Sequence, residues 1–204
     1  MTAIIGDRHI RQATQMDTAA LFDICLRTAD AGEDATALYS DPRLPGYLWA
    51  VPYLEFLPAF SIVLVEGSRV VGYALAAPDT AAFYEQLERE WWPQVRREVA
   101  GLVPARPGDA AILRRIAQPE GHPAWLFADY PAHMHINILP EAQSAGWGRR
   151  MIEIELAALK AAGVGGVHLG LAPKNERAKG FYRHLGFEDV SSGGHVTFAM
   201  RLNT

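Results

Sequence analysis

"AHMHINILPEAQSAGWGRRM", residues 132–151, decides how this chain is read. Residues 132–139 predict a strand that ends at Pro140, where the missing N–H stops a ladder. A short turn, Pro140 to Ala142, leads into a loop with Gly146 and Gly148. Beyond it the sequence predicts a helix, with Ile152, Leu156 and Leu159 on the inner face and a glycine cap at Gly163. Glycines between a strand and a helix let the backbone approach a ligand, and the unpaired N–H groups of the first helical turn favour an anion. Arg149 and Arg150 follow Gly148, so the Gly-Lys-Ser/Thr ending of a nucleoside triphosphatase loop is absent, as is the six-residue dinucleotide fingerprint. Kinase and dehydrogenase readings both lose ground.

Downstream, "GVHLGLA" (166–172) predicts a buried strand, "NERAKGFYRHLG" (175–186) a helix closed by Gly186, and "HVTFAMRL" (195–202) a last strand. Strand, helix, strand, helix, strand implies an α/β sheet with at least one parallel pair. Upstream, "HIRQA" (9–13) predicts an opening strand and Thr14 a cap. Leu21, Ile24, Cys25 and Thr28 form one helical face. Residues 32–58 carry many aromatics, with Pro42, Pro45, Pro52 and Pro58 breaking them into short helical turns and loops packed on the body. "FSIVLVEGSRVVGYALA" (60–76) is a β-hairpin signature. Residues 79–100 read as helix, broken or kinked at Pro93, and "GDAAILRRIAQP" (108–119) as a short helix with Asp109 near its start.

The 204 residues are 50% apolar and 21% charged, which predicts one compact domain, 1–204, with insertions at about 32–58 and 79–128. A net charge of -4 leaves no broad cationic surface, so nucleic acid is not expected as a partner. Cys25 is the only cysteine; it excludes an intramolecular disulfide and reads as a small buried hydrophobe. The start lacks a basic, apolar leader and no window is apolar enough for a membrane span, so a cytoplasmic location is expected. His122, His168, His184 and His195 are scattered without ligand spacing, and no metal is expected.

Gln143-x-x-Gly146-x-Gly148 after a strand resembles the pyrophosphate loop of the GCN5-related N-acetyltransferases (GNATs). "NERAKGFYRHLGF" (175–187) resembles the same family's next segment, an Asn, an Ala three residues on, and Phe-Tyr-x-x-Leu-Gly-Phe. The close likeness spans about 132–202. "LPGYLWAVPYLEFLP" (44–58), "VVGYALAAPDT" (70–80), Trp91-Trp92-Pro93 and "LFADYPAHMHINIL" (126–139) resemble more narrowly the acetyltransferase-like C-terminal domain of animal O-GlcNAcase and its free-standing bacterial relatives. In the animal domain the glycine loop is degraded, whereas here it is intact.

The resemblance implies an α/β (α+β) GNAT fold, a mixed central sheet of about six to seven strands flanked by helices and splayed at the fourth and fifth. It implies acetyl-CoA as co-substrate and an amine acceptor. Ile138 and Leu139 would offer backbone groups to the pantetheine. Backbone N–H groups from Gln143 through Ser144, Ala145, Gly146, Trp147, Gly148 and Arg149 would hold the pyrophosphate. Asn175 would bond the pantetheine arm beside Ala178 and Phe181, and Tyr182 would protonate the departing thiolate. Plainer readings stand beside these: a tight helix entry for the glycines, a solvated charge for Arg150, a helix cap for Asn175 and a core aromatic for Tyr182.

The base is less marked. His133, His135 and Asn137 share one strand face by the period of two, with Asp129 just upstream. His135 has a suitable intrinsic pKa. The family commonly carries a Glu on this strand, and the animal domain an Asp where Asn137 stands. Two functions stay open: direct acetyl transfer in a ternary complex, or an interaction module that holds acetyl-CoA and docks a partner through Tyr47, Trp49 and Tyr53. The acidic balance suits a cationic amine or a basic peptide tail as acceptor, and the aromatic insertions leave a homodimer open.

Overall fold

A computed structural model describes residues 8–119, 124–143 and 145–202. Among these, β1 (Arg8–Gln12), β2 (Ser61–Glu66), β3 (Arg69–Ala77), β4 (Ala132–Ile138), β5 (Gly166–Leu171), β6 (Glu188–Asp189) and β7 (Val196–Arg201) form one sheet in the order β1-β2-β3-β4-β5-β7-β6. The β-branched run of β2 and the small and apolar residues of β3 are buried along most of their length, and Gly67 takes the positive φ of 61° that their turn needs.

β4 pairs antiparallel with β3 from Ala77↔His133 to Gly72↔Ile138. Its parallel pairing with β5 covers only Ala132↔Val167 and His133↔His168. Past His133 the ladder ends, which opens the sheet between its fourth and fifth strands. The mixed, splayed sheet flanked by helices is the architecture that the family likeness implies.

Period-two alternation divides β4 between two environments. Ala132 and Met134 join the core under α8 (Trp147–Ala161), with Ile152 and Leu159. His133, His135 and Asn137 face the other side, where α1 (Thr18–Leu26), α2 (Leu44–Trp49) and α3 (Val51–Phe56) lie with α4 (Thr80–Gln86), α5 (Trp92–Val99) and α6 (Asp109–Ala117). The short helical turns expected between 32 and 58 include two six-residue helices, each with a proline in its first turn where an N–H is dispensable. Cys25 is buried, and burial pushes its thiol up to about 12.

Three local outcomes differ from the sequence reading. Gln15–Asp17 form a 3₁₀ turn, so α1 starts at Thr18 rather than directly after Thr14. Residues 79–100 do not break at Pro93: a π-helical turn, Leu87–Trp91, joins α4 to α5 and seats Pro93 in the first turn of α5. α7 (Ala124–Asp129) and the two-residue β6 have no counterpart in the sequence reading. No helix of the described residues is long and apolar enough to cross a membrane.

Candidate active site

The splay opens into a cleft of about 820 Å³, running from Gln143 and Asn175 at one end to Trp49 and Trp92 at the other. Its inner edge is the backbone of β4. Leu139 donates its N–H to the Val71 carbonyl (2.9 Å), and alternation therefore turns the backbone groups of Ile136 and Ile138 towards the missing β5 partner. The Ile138 carbonyl accepts from Gln143 Nε2 at 2.8 Å, which ties the loop to the strand end. Leu139 is engaged elsewhere: its carbonyl accepts from the N–H groups of Ala142 and Gln143. Ile136 takes the splay-facing position that the sequence reading gave to Leu139.

Ala145 and Gly146 have positive φ, 53° and 78°, and deliver the chain into α8. Ser144 lies outside the described residues. By position, Trp147, Gly148 and Arg149 point their N–H groups out of the first turn of this 15-residue helix. The two glycines serve different ends. A Cβ on Gly146 would meet nothing within 4 Å, so its role is the left-handed turn; one on Gly148 would stand 3.3 Å from Phe181 Cζ, so its role is close packing. Arg149 pairs with Glu153 at 3.3 Å, and Arg150 lies over the Trp147 ring at 4.9 Å.

α9 (Glu176–His184) closes the cleft from below. Asn175 caps it, its Oδ1 accepting from the Ala178 N–H at 3.0 Å, while its Nδ2 faces Gly32. Ala178 and Tyr182 line the cleft with it, and Phe181 packs behind on Gly148. Tyr182 is 5% exposed, its ring against Phe187 and Phe198, and burial raises its phenol above the usual value. The hydroxyl therefore keeps its proton.

His133 is held at both ring nitrogens. The Thr80 hydroxyl donates to the Pro131 carbonyl (2.6 Å), so His133 Nδ1, 2.8 Å away, donates to Thr80. Nε2 then accepts from the Tyr53 hydroxyl at 2.6 Å. In the neutral ring this puts the proton on Nδ1, and the two bonds make His133 a structural tie between β4, α3 and α4. His135 is half-buried and lines the cleft, edge-on to the Tyr53 ring at 5.3 Å. Asn137 donates its side-chain amide to the Thr28 hydroxyl, anchoring the end of α1 to β4.

Asp129 is not brought to the cleft; it sits at the end of α7, 3.5 Å from Arg201. His168 is less scattered than its position in sequence suggests: the parallel register sets its ring 5.7 Å from that of His133, and its Nδ1 donates to the Tyr130 carbonyl. His195 lines the cleft, His184 lies on α9, and His122 is outside the described residues. The hydrogen bonds of Tyr53, Thr80 and Thr28 to β4 were missed by sequence reasoning, since each spans 53 or more positions. Tyr47 and Tyr53 are 4% and 2% exposed, so the expected aromatic surface patch is core; Trp49, half-buried, turns into the cleft. Among the described residues no group of three His, Cys, Asp or Glu side chains could hold a metal ion.

A family model for the acetyltransferase (GNAT) domain matches residues 110–189. SsHAT, a protein of known crystal structure, is 33% identical, with 97% of this chain and 99% of that chain covered and a TM-score of 0.89. The chain belongs to the GNAT acetyltransferase family. More distant GNAT-like folds include an N-acetyltransferase from Staphylococcus aureus Mu50 (13% identity, 97% and 99% covered, TM-score 0.58). Another is yncA from Salmonella typhimurium with its cofactor acetyl-CoA (14%, 96% and 94% covered, TM-score 0.55). These two likenesses are of fold. As a GNAT member the chain carries an acetyltransferase domain.

Proposed function

We propose that the chain transfers acetyl from acetyl-CoA directly to an amine bound in the same cleft, and that it is kin to the O-GlcNAcase-like acetyltransferases. One observation carries this: the splay-facing backbone of β4, Gln143 at the head of the loop that leads into α8, and Tyr182 all border one continuous cleft. In this reading Ile136 and Ile138 pair with the amide groups of the pantetheine as an added strand would. The N–H groups of Trp147, Gly148 and Arg149 hold the pyrophosphate, aided by the α8 dipole. Asn175 keeps its cap through Oδ1 and presents Nδ2 to the pantetheine arm.

The acceptor nitrogen attacks the thioester carbonyl, a C–N bond forms and the C–S bond breaks. His135 receives the proton lost by the amine, and Tyr182 donates one to the departing thiolate. His135 is chosen over His133 because it lines the cleft while His133 ties three elements together; Asn137 holds α1 and accepts no proton, and Asp129 is remote. The burial of Tyr47 and Tyr53 removes the aromatic patch, one of two features that favour an interaction module, and leaves the other, a β4 without a carboxylate.

Thiol release from acetyl-CoA, followed with a panel of primary amines, tests the reading. Amine-dependent release that falls about 100-fold in Tyr182→Phe, with acetyl-CoA binding retained, supports it. Tight acetyl-CoA binding with no release on any amine would leave the module instead.

A further inference from the structure

The half of the cleft beyond His135 has a chemistry of its own. Five aromatic side chains wall it: Trp49, Tyr53, Phe83, Tyr84 and Trp92. Tyr53, Phe83 and Trp92 are buried at 2%, 3% and 5% exposure, and the Tyr53 and Phe83 rings meet tilted at 40° with centroids 4.7 Å apart. Trp49 and Tyr84 are half-buried and form the outer part of the wall. Two residues of permanent charge, Glu88 and Arg115, stand among the described lining residues of the whole cleft. Glu88 lies 3.4 Å from Arg96, and the Arg115 guanidinium lies over the Trp49 ring at 5.7 Å.

We infer that the acceptor is a monoamine carried on an aromatic ring system, an arylalkylamine. The inference rests on acetyl-CoA filling the opposite end of the cleft. A polyamine or a lysine in a basic peptide brings further cations, and each would need a carboxylate to offset its desolvation. Among the described residues this wall offers one carboxylate, Glu88, already beside an arginine, and one cation, Arg115. The acidic balance of the whole chain, which suits a basic acceptor, is thus not repeated where the acceptor sits. A flat apolar ring instead meets edges and faces at aromatic contact distances. Its aminoalkyl arm would reach inward to the point where Tyr53 meets His135 of β4.

Thiol release at saturating acetyl-CoA, compared between phenethylamine, spermidine and a lysine-containing peptide, tests the inference alongside calorimetric titration of phenethylamine into the CoA-loaded protein. Phenethylamine should bind saturably and give the highest kcat/KM, by about tenfold or more. Trp49→Ala should raise its KM about tenfold while acetyl-CoA affinity stays within twofold, and Trp49→Phe should restore most of the loss. Preference for spermidine or the peptide, no binding of phenethylamine, or a KM indifferent to Trp49→Ala would overturn it. Failure of acetyl-CoA itself to bind would strike the functional reading, a result distinguishable by its own titration.

Discussion

Gly148 and Phe181 hold the first turn of α8 against α9 at a separation that leaves little room for a side chain: a Cβ on Gly148 would stand 3.3 Å from the ring tip. Gly146, two residues earlier, has open space around it and a φ of 78°. The two positions should therefore fail differently. Gly146→Ala forces an L side chain into the left-handed region at about 1 kcal/mol. Gly148→Ala needs only a shift of a few tenths of an ångström by Phe181, about 1 kcal/mol or less. Calorimetric melts should drop by about 2–4 °C for Gly146→Ala and by no more than that for Gly148→Ala.

Glu155 is a carboxyl of α8 at 1% exposure, with neither oxygen in a hydrogen bond, and burial pushes it up to about 8. Its folded value lies above its unfolded value of 4.5, so the folded state holds the proton more tightly. The stability it contributes is whole below about pH 4.5 and is lost as pH rises towards about 8. Glu155→Gln should leave stability near pH 4.5 little changed and raise it by a few kcal/mol, on the order of the shift, at pH 9. Melting curves across that range measure the gap; a gap independent of pH would contradict it.

Asp109 is fully buried, and though burial alone would raise its pKa, it is held down to about 2 by the N–H groups of Ser40, Ala105 and Arg106. It pins the loop before α2 to the start of α6. Asp109→Ala leaves buried donors unsatisfied and should cost about 2–4 kcal/mol in urea unfolding at pH 7. With its folded value depressed, the carboxylate's contribution is present above about pH 4 and fades as pH falls through 2. The variant's deficit should shrink over that range.

The chain Pro131–Thr80–His133–Tyr53 assigns His133 the tautomer with a proton on Nδ1. Nitrogen NMR of the imidazole should show Nε2 as the unprotonated atom. Thr80→Val, which removes the acceptor of that proton, should destabilise the protein by about 1–3 kcal/mol.

Much of the proposed donor side was legible because it is local. A strand, a glycine loop, a helix and the Asn175–Phe187 segment carry their spacing in consecutive residues, and the hairpin of β2 and β3 carries its own alternation. The other side of the cleft was not, because it is assembled from distant pieces. His168 reaches His133 only through the parallel register, and Tyr53 reaches it across 80 positions. Asp129 adjoins the strand in sequence, yet α7 leaves it beside Arg201. Tyr47 and Tyr53 read as surface because prolines surround them; the short helices those prolines start carry both rings inward.

Calorimetric titration of acetyl-CoA into the wild-type protein and into Gly146→Glu and Gly148→Glu tests the central claim, that the splay and the first turn of α8 hold the donor. The account predicts saturable one-to-one binding that both glutamates abolish or weaken at least tenfold, with folding confirmed by circular dichroism. No binding by the wild type, or equal binding by folded glutamate variants, would contradict it.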